Sequence, residues 1–222
     1  MIRAVSFDLD GTLYSLARAR GPLLWSTFPR WRTLRVGLAV REELRGRRFR
    51  TGDDLLATEA QLVGERLDIS PAAARAALDD IFATRLTRVL RRIGPIDGAR
   101  AALDEVVARG IQLALVSDRG AALAKLEALG LADLPWDVVV SADDTGILKP
   151  DAEVLMTTAQ RLHIAPHELL HVGDRDDADG AAARAAGCAW VIIDPTMPRP
   201  LDVVAAALDA PSSLPTSTTE PA

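Results

Sequence analysis

Two aspartates two residues apart, Asp8 and Asp10, are the residues of this sequence whose types and spacing point most directly to chemistry. They end a short apolar run and are followed at once by Gly11 and Thr12. Alternate residues of an extended strand share a side, so both carboxylates are predicted to point at one centre. Close carboxylates repel each other, and a hard divalent cation such as Mg²⁺ offsets that repulsion. The pattern therefore predicts a magnesium site after the first strand; the alternative is an ordinary strand end with an Asp-Gly turn.

Polar residues also end three other predicted strands. They are Ser117 and Asp118 after residues 112–117, Ser141, Asp143 and Asp144 after residues 137–140, and Gly173 and Asp174 after residues 169–172. The carboxyl ends of parallel strands lie at one edge of a sheet, where ligands bind. We therefore expect the acids and the hydroxyl groups to gather there.

The elements that position these residues alternate between strand and helix. Strands are predicted over residues 4–10, 112–117, 137–140, 169–172 and 189–193, and helices over residues 97–109, 121–129, 151–162, 179–186 and 201–208. Such alternation is typical of an α/β fold, here a Rossmann-like parallel sheet with helices on both faces. The run of Pro, Ser and Thr from Pro211 predicts a disordered tail.

A long helical insertion separates the first strand from the rest of this pattern. Its predicted helices run from Gly21-Pro22 to about residue 45, from Thr51 to residue 67, and from Ser70-Pro71 to residue 93. We therefore divide the chain into an α/β core (residues 1–13 and 96–210), an all-helical cap domain (residues 14–95) and the tail (residues 211–222). The helical spacing of Trp25, Phe28 and Trp31 predicts that these rings are buried.

Charge is distributed unevenly along the 222 residues, whose formal net charge is −5. Residues 14–95 hold 16 arginines and nine acids, whereas the remainder has a net charge of −12. Segments of opposite charge face each other, share an anionic substrate or are simply solvated, and the sequence leaves these alternatives open. A solvated helical face is the expectation for the insertion arginines, in particular Arg41, Arg45, Arg47, Arg48 and Arg50.

Composition excludes several classes of protein. The 49% hydrophobic and 26% charged residues exclude wholesale disorder, and no apolar run approaches the roughly 18 residues of a membrane helix. Residues 1–6 do not resemble a signal peptide. A single cysteine, Cys188, excludes an internal disulfide framework, indicates the cytoplasm and is predicted to lie in the core. The mild negative charge argues against a nucleic-acid partner, and the oligomeric state stays open.

The Asp8–Thr12 segment is one of four segments that together resemble a known family. Residues 8–13, Asp-Leu-Asp-Gly-Thr-Leu, resemble the first motif of the haloacid dehalogenase superfamily, whose members are mostly phosphatases. Ser117 is similar to its second motif, Lys149 before Pro150 to its third, and Gly173-Asp174 followed by Asp179 to its fourth. The resemblance covers residues 2–194.

This resemblance implies a reaction. Asp8 would attack phosphorus and form an aspartyl-phosphate, and Asp10 would act as general acid and then as general base. Mg²⁺ would be held by Asp8, the backbone carbonyl of Asp10, and Asp174. The implied function is magnesium-dependent hydrolysis of a small phosphorylated metabolite, with no nucleic-acid or membrane partner.

The resemblance also implies supporting roles. Ser117 and Lys149 would bind the phosphate oxygens, and Asp179 would support the metal through water or hold Lys149. Each has a plainer alternative: a turn cap for Ser117, a solvated side chain for Lys149 and a helix N-cap for Asp179. The chain uses only two lysines, Lys125 and Lys149, which favours a specific role for the latter. The three histidines, His163, His167 and His171, are expected at the surface or in packing rather than as ligands.

The sequence departs from the family pattern at three positions. Asp118 stands where the family usually has Asn, Arg175 where Ser or Thr is common, and Ala152 where Pro is frequent. An additional acid beside a phosphate site disfavours the dianion, so Arg119 or Arg175 is expected to neutralise Asp118. These departures put the pocket in doubt rather than the reaction.

Two alternatives to a phosphatase stay open. A phosphomutase of the same superfamily shares every core residue, and a non-catalytic regulatory or binding member shares the fold. Dehalogenation is disfavoured because it needs no leaving-group acid at Asp10. A phosphonate-cleaving member needs a lysine in the cap, and residues 14–95 contain none.

Overall fold

A single parallel sheet forms the centre of the structure, a computed structural model that describes residues 1–210. Its strand order is β3-β2-β1-β4-β5, with β1 (Ala4–Phe7), β2 (Gln112–Ser117), β3 (Trp136–Ser141), β4 (Leu169–Gly173) and β5 (Ala189–Ile192). All four strand pairs are parallel. The predicted α/β fold is confirmed, and the tail predicted from Pro211 lies outside the described residues.

The central strand, β1, brings its carboxyl end level with those of its neighbours. Phe7 is in register with Leu115 of β2 and Val172 of β4. The Asp8 N–H extends this pairing by donating to the Val172 carbonyl at 2.8 Å. The strand itself ends at Phe7, so the predicted extended run over residues 4–10 is too long.

Five α-helices lie in the insertion that follows β1. They are α1 (Leu16–Thr27), α2 (Trp31–Glu43), α3 (Gly52–Leu67), α4 (Pro71–Asp79) and α5 (Leu86–Ile93), with a π-helical turn, Asp80–Arg85, joining α4 to α5. The predicted starts of α3 and α4 are confirmed, because the Thr51 and Ser70 hydroxyls accept backbone N–H groups at the N-caps.

The helix predicted from Gly21-Pro22 to residue 45 is wrong. The structure has two helices there, α1 and α2, with an extended residue, Phe28, between them. Phe28 precedes Pro29, and a residue before proline is disfavoured in the helical region by contact with the proline ring. Helix α1 therefore ends before Pro29, whereas Pro22 lies within the helix.

The aromatic residues at this break are exposed, contrary to the prediction. Trp25 is 86% exposed, Phe28 75% and Trp31 39%. Their helical spacing predicted a common buried face only if one helix carried all three. Since the chain bends at Pro29, that periodicity is lost, and Leu23 and Leu34 pack into the core in their place.

Six further helices accompany the remaining strands. They are α6 (Ala99–Ala108), α7 (Ala122–Leu129), α8 (Ala142–Thr145), α9 (Glu153–Arg161), α10 (Ala181–Ala186) and α11 (Asp202–Asp209). Within β2, Leu113 and Leu115 pack in a cluster with Leu103 of α6, whereas Ala114 and Val116 pack in another with Leu155 of α9. Helices therefore cover both faces of the sheet. Cys188 is buried in the second cluster, as predicted.

The insertion leaves and re-enters the core at one point. The Ile96 N–H donates to the Leu13 carbonyl at 3.0 Å, so the two crossings lie side by side. The boundaries predicted for the core and for a cap domain agree with this contact but stay a prediction. Among residues 1–210, no helix is long and apolar enough to span a membrane.

Core packing gives a first testable prediction. Replacing Leu103→Ala removes a fully buried side chain between α6 and the sheet, and we expect the free energy of unfolding to fall by about 2–5 kcal/mol. Leu123→Ala is the matched control because Leu123 is 61% exposed, and its expected change is within about 0.5 kcal/mol. Denaturant unfolding followed by circular dichroism measures both, and equal losses would contradict this packing.

Candidate active site

The buried carboxylate of Asp8 lies at the centre of the carboxyl edge of the sheet. The side chain is 8% exposed. The Lys149 ammonium donates to its Oδ1 at 2.6 Å, and the Thr12 hydroxyl donates to its Oδ2 at 3.1 Å. Lys149 and Asp8 are 141 residues apart in sequence, and the fold brings them together.

Asp179 holds Lys149 from the opposite side. Its Oδ1 accepts from the Lys149 ammonium at 2.6 Å, and its Oδ2 accepts the Arg175 N–H at 3.0 Å. Burial opposes ionisation of Asp179, yet the Lys149 charge and a hydrogen bond from His171 hold the pKa of that carboxyl well below its usual range. The predicted role of holding Lys149 fits these contacts. The N-cap alternative is wrong, because the N-cap residue of α10 is Gly180.

His171 orients this carboxylate and is not exposed. Its Nε2 lies 3.2 Å from Asp179 Oδ1, and its Nδ1 lies 2.9 Å from the Ser6 hydroxyl. Burial lowers the pKa of His171, which favours the neutral ring. The partners then assign the proton to Nε2, with the Ser6 hydroxyl donating to Nδ1. A surface or packing position was expected for this histidine; it is buried, and its hydrogen bonds make it a support for Asp179.

Three carboxylates come together at this edge: those of Asp8, Asp174 and Asp179. One oxygen of each lies within 4.8 Å of the others. Burial raises the pKa of Asp8 well above its usual value, and the nearby carboxylates raise it further against the opposing charge of Lys149. Burial, followed by the charge of Asp179, raises the pKa of Asp174 to about 6. The pocket therefore carries more negative charge than its lysine offsets.

This cluster fits a divalent cation of the magnesium type. Its donors are hard carboxylate oxygens, and a cation would favour the ionised forms of Asp8 and Asp174, whose pKa values are raised first by burial and then by the neighbouring carboxylates. The oxygens of Asp179 already accept from Lys149, His171 and the Arg175 N–H. Asp8 and Asp174 are therefore the better side-chain ligands, and Asp179 is better placed as a support.

The glycine of the Asp-Gly pair is required by close packing as well as by its conformation. Gly11 has φ +113°, a value that side chains rarely adopt, and a Cβ there would lie 2.3 Å from Asp174 Oδ2. The turn after β1 thus passes directly under the Asp174 carboxylate. Gly11 of the first motif must therefore lack a side chain, because Asp174 of the fourth motif occupies the space where its Cβ would lie.

The Asp10 carboxylate has hydrogen-bond partners of its own, distinct from those of Asp8. Its two oxygens accept from the Lys125 ammonium at 2.7 and 2.9 Å, and the Tyr14 hydroxyl also donates to it. Because β1 ends at Phe7, Asp8 and Asp10 do not share one side of a strand, although both line the same cavity. The predicted convergence of their carboxylates on one centre stays a prediction. Burial would raise the pKa of Asp10, but the Lys125 charge and these hydrogen bonds outweigh it and lower that pKa.

Lys125 is the residue that sequence reasoning missed. It is fully buried on α7, 115 residues from Asp10 in sequence. A signal was present, because Lys125 is one of only two lysines in a chain otherwise rich in arginine, and it lies among apolar residues of a predicted helix. The pairing with Asp10 nevertheless depends on the packing of α7 against the sheet.

Ser117 ends β2 beside the site and closes the following turn. Its hydroxyl donates to the Arg119 carbonyl at 2.8 Å and accepts the Arg119 N–H at 3.2 Å. The same hydroxyl lies 3.4 Å from Asp10 Oδ2. The turn-capping alternative for Ser117 is therefore observed, and its predicted contact with a phosphate stays a prediction.

The residue that neutralises Asp118 is neither of the two expected. Arg45 of the insertion donates to Asp118 Oδ2 at 2.6 Å. Arg119 instead stacks on Phe82 and donates to Glu59, whereas Arg175 pairs with two other acids. Arg119 and Arg175 do not reach Asp118, because both side chains contact residues of the insertion instead.

The acids after β3 are not part of the cluster. Asp143 accepts from Arg41 at 2.8 Å, and Asp144 accepts from the Ser141 hydroxyl. Arg41 is buried by this pair and by Glu59, so the solvated face expected for the insertion arginines is wrong for Arg41 and Arg45. It is correct for the exposed Arg47, Arg48 and Arg50.

A cavity of about 180 Å³ opens beside Asp8 and Asp10. The core contributes Lys149 and Asp174 to its wall, and the insertion contributes Leu16, Leu38, Arg41 and Arg45. Its volume is below the roughly 300–1,000 Å³ of sites for drug-sized ligands. The cavity therefore suits a small ligand enclosed between the core and the insertion.

Known proteins resemble this chain over most of its length. The ribulose-1,5-bisphosphate 5-phosphatase of Halopiger xanaduensis is 30% identical over 213 residues, which are 88% of this chain and 86% of that protein. The phosphoglycolate phosphatase of Shigella dysenteriae is 31% identical over 209 residues, which are 84% and 79% of the two chains. A HAD hydrolase from Bacillus subtilis, solved with magnesium bound, has a TM-score of 0.69 at 18% identity and covers 94% of this chain and 99% of its own, a likeness of fold alone.

The family assignment follows from these matches together with the arrangement of the four motifs. Residues 2–187 match the haloacid dehalogenase-like hydrolase family. The first, third and fourth motifs meet at one edge of the sheet through Asp8, Lys149, Asp174 and Asp179. This chain is an enzyme of the haloacid dehalogenase-like hydrolase family.

Proposed function

We propose that the chain is a magnesium-dependent phosphatase that hydrolyses a small phosphorylated metabolite through an aspartyl-phosphate on Asp8. The observation that carries the proposal is the buried Asp8 carboxylate, with the Lys149 ammonium 2.6 Å away and the Asp174 carboxylate nearby. The combination supplies a nucleophile, a cation for phosphate oxygens and oxygen ligands for a metal. The two similar phosphatases support the same class of substrate.

The first step transfers the phosphoryl group to the enzyme. A carboxylate oxygen of Asp8 attacks phosphorus, and the bond from phosphorus to the leaving oxygen breaks. Protonated Asp10 gives its proton to that oxygen. Lys125 favours the ionised product of this donation, since its ammonium contacts both Asp10 oxygens. Because the pKa of Asp10 is lowered, its protonated form is a stronger acid, and a smaller fraction of Asp10 is protonated at a given pH.

The second step releases phosphate. Ionised Asp10 takes a proton from a water molecule as that water attacks phosphorus, and the bond from phosphorus to Asp8 breaks. The step restores the protonated form of Asp10 and the free carboxylate of Asp8. Lys149 and the Ser117 hydroxyl bind the phosphate oxygens during both steps.

Asp8, Asp174 and the backbone carbonyl of Asp10 would hold the metal. When bound, Mg²⁺ offsets the negative charge of the pocket and polarises the phosphate toward attack. Asp179 supports the site by holding Lys149 and by bringing its own charge close to Asp174.

We further propose that residues 14–95 act as the cap domain and select the substrate. The insertion lines the cavity with two leucines, two arginines and Glu42, and the cavity is small. A short substrate carrying one phosphate and a second polar group fits this surface. The cytoplasmic location indicated by the single cysteine stays a prediction.

Asp8→Asn tests the nucleophile. The amide is a poor nucleophile, so we expect phosphate release from an aryl phosphate to fall at least about a thousandfold, and excess chelator to abolish release by the parent chain. Asp133→Asn is the matched control, because Asp133 is exposed, pairs only with Arg100 among residues 1–210, and precedes β3 at the opposite edge of the sheet. Release from phosphoglycolate, ribulose bisphosphate and sugar phosphates then identifies the substrate. Undiminished turnover by Asp8→Asn would overturn the mechanism, and transfer to a sugar hydroxyl instead of water would identify a phosphomutase.

Magnesium binding is tested by stability rather than by turnover. A ligand that binds only the folded chain stabilises it by about 2.7 kcal/mol at one hundred times its Kd. We expect Mg²⁺ to raise the melting temperature of the parent chain and of Asp177→Asn, whose side chain is 70% exposed in the same loop. Asp174→Asn is expected to lose the increase. An equal increase in the Asp174 and Asp177 variants would show that the ion binds elsewhere.

A further inference from the structure

The backbone of Lys149 is held on both sides by one ion pair. Its N–H donates to Asp118 Oδ1 at 2.9 Å, and its carbonyl accepts from Arg45 Nη1 at 2.8 Å. The same Arg45 nitrogen donates to Asp118 Oδ2 at 2.6 Å. Asp118 and Arg45 therefore close a ring of three hydrogen bonds around the peptide groups of Lys149.

The ring joins three separate parts of the chain. Asp118 directly follows the end of β2, Lys149 lies after α8, and Arg45 lies just beyond the end of α2 in the insertion. The side chains of Arg45 and Asp118 are only 17% and 13% exposed, so water weakens their attraction less than at an open surface. Hydrogen bonds between charged groups are also shorter and stronger than neutral ones.

A second acid fixes the orientation of the Arg45 guanidinium. Glu42, one turn earlier at the end of α2, accepts from Arg45 Nε at 2.9 Å and from both terminal nitrogens of Arg175 at 2.9 and 3.0 Å. Arg175 follows Asp174 in the core. The two charged departures from the family pattern, Asp118 and Arg175, thus meet the same corner of the insertion with opposite charges.

The other end of Lys149 contacts the nucleophile. Its ammonium lies 2.6 Å from Asp8 Oδ1 and 2.6 Å from Asp179 Oδ1. Arg45 of the insertion therefore binds the backbone of the same residue, Lys149, whose ammonium binds Asp8. The backbone that carries this ammonium has its N–H bonded to Asp118 and its carbonyl bonded to Arg45.

We propose that Arg45 and Asp118 are positioning residues that make the placement of the Lys149 ammonium depend on the insertion being seated on the core. The effect of this placement on turnover rests on the proposed phosphatase function, whereas the placement itself does not. The Nε and Nη1 of Arg45 already donate to Glu42, Asp118 and the Lys149 carbonyl, so these two nitrogens are engaged within the chain rather than with a ligand.

A neighbouring pair supplies a matched control. Arg48 also belongs to the insertion and pairs with a core acid, Asp151, at 2.9 Å. Neither a hydrogen bond nor an ion pair joins it to Lys149 in the described residues, and its side chain is 74% exposed. Arg48→Gln removes the same charge from the same segment and leaves the ring intact.

The two lysines of the chain make the proposal directly measurable. The full chain labelled with ¹⁵N-lysine gives two backbone amide signals, those of Lys125 and Lys149, and Lys125→Arg assigns them. In Arg45→Gln we expect the Lys149 signal to move and its hydrogen exchange to speed up at least about tenfold, while the Lys125 signal stays in place. Arg48→Gln is expected to move neither signal. An unmoved Lys149 signal in Arg45→Gln, or the same shift in both variants, would overturn the proposal.

Variants at Asp118 separate the acceptor from the charge. Asp118→Asn keeps an oxygen for the Lys149 N–H, whereas Asp118→Ala removes it, so exchange at Lys149 is expected to rise in the order parent, Asn, Ala. If Arg45→Gln fails to fold, which the loss of the dispersed Lys125 signal would reveal, Arg45→Lys replaces it. Equal exchange in the Asn and Ala variants would contradict the role of the Asp118 oxygen.

Turnover supplies the functional readout. In Arg45→Gln we expect kcat for an aryl phosphate to fall about tenfold to a hundredfold with KM changed less than threefold, since a displaced Lys149 acts on the reacting phosphate. Arg45→Lys is expected to recover part of this loss. A raised KM with unchanged kcat would make Arg45 a substrate contact and overturn the proposal. A parent chain without phosphatase activity, but with the Lys149 shift in Arg45→Gln, would refute the proposed function and leave the positioning role supported.

Discussion

A lysine ammonium buried between two carboxylates is the constraint on which the rest of this structure depends. Lys149 is 1% exposed, and Asp8 and Asp179 are nearly as buried. Removing one partner of such a buried group leaves an uncompensated charge, with a loss of roughly 3–5 kcal/mol in comparable cases. The strands must therefore end at one level, His171 must turn its proton toward Asp179, and Gly173 must lack a side chain, because a Cβ there would overlap Asp179 at 2.2 Å.

Charge compensation explains the remainder of the site. Asp10 is matched by Lys125, Asp118 by Arg45 and Glu42 by Arg175. Among the described residues, Asp174 is the acid of the cluster that has no side-chain hydrogen bond from a cation. The unbalanced charge of the pocket is therefore concentrated beside Asp8, where phosphorus is attacked in the proposed reaction. The insertion contributes one of these compensating cations, so its arginine content is partly a structural requirement.

The sheet and the grouping of the motifs were predictable because both depend on local patterns. Apolar runs that end in polar residues mark strand ends, and parallel topology brings those ends together. The pairing of Lys125 with Asp10 and of Arg45 with Asp118 was not predictable, since the partners are 115 and 73 residues apart and are joined only by packing. The exposed Trp25 shows a second limit: one extended residue before Pro29 removes the periodicity that predicted a buried face.

The hydrogen bond between Leu13 and Ile96 makes the insertion a loop with closed ends. The entropy of closing a loop changes little with its length, so helical segments of other lengths can be exchanged at this junction while the residues at the carboxyl edge of the sheet stay constant. The exchange is not wholly free. An incoming segment without an arginine at the position of Arg45 leaves Asp118 beside Lys149 with its charge unopposed, and restoring the neutral asparagine at residue 118 would have to accompany it. Exchange of the insertion in this chain thus depends on which residue occupies position 118 of the core.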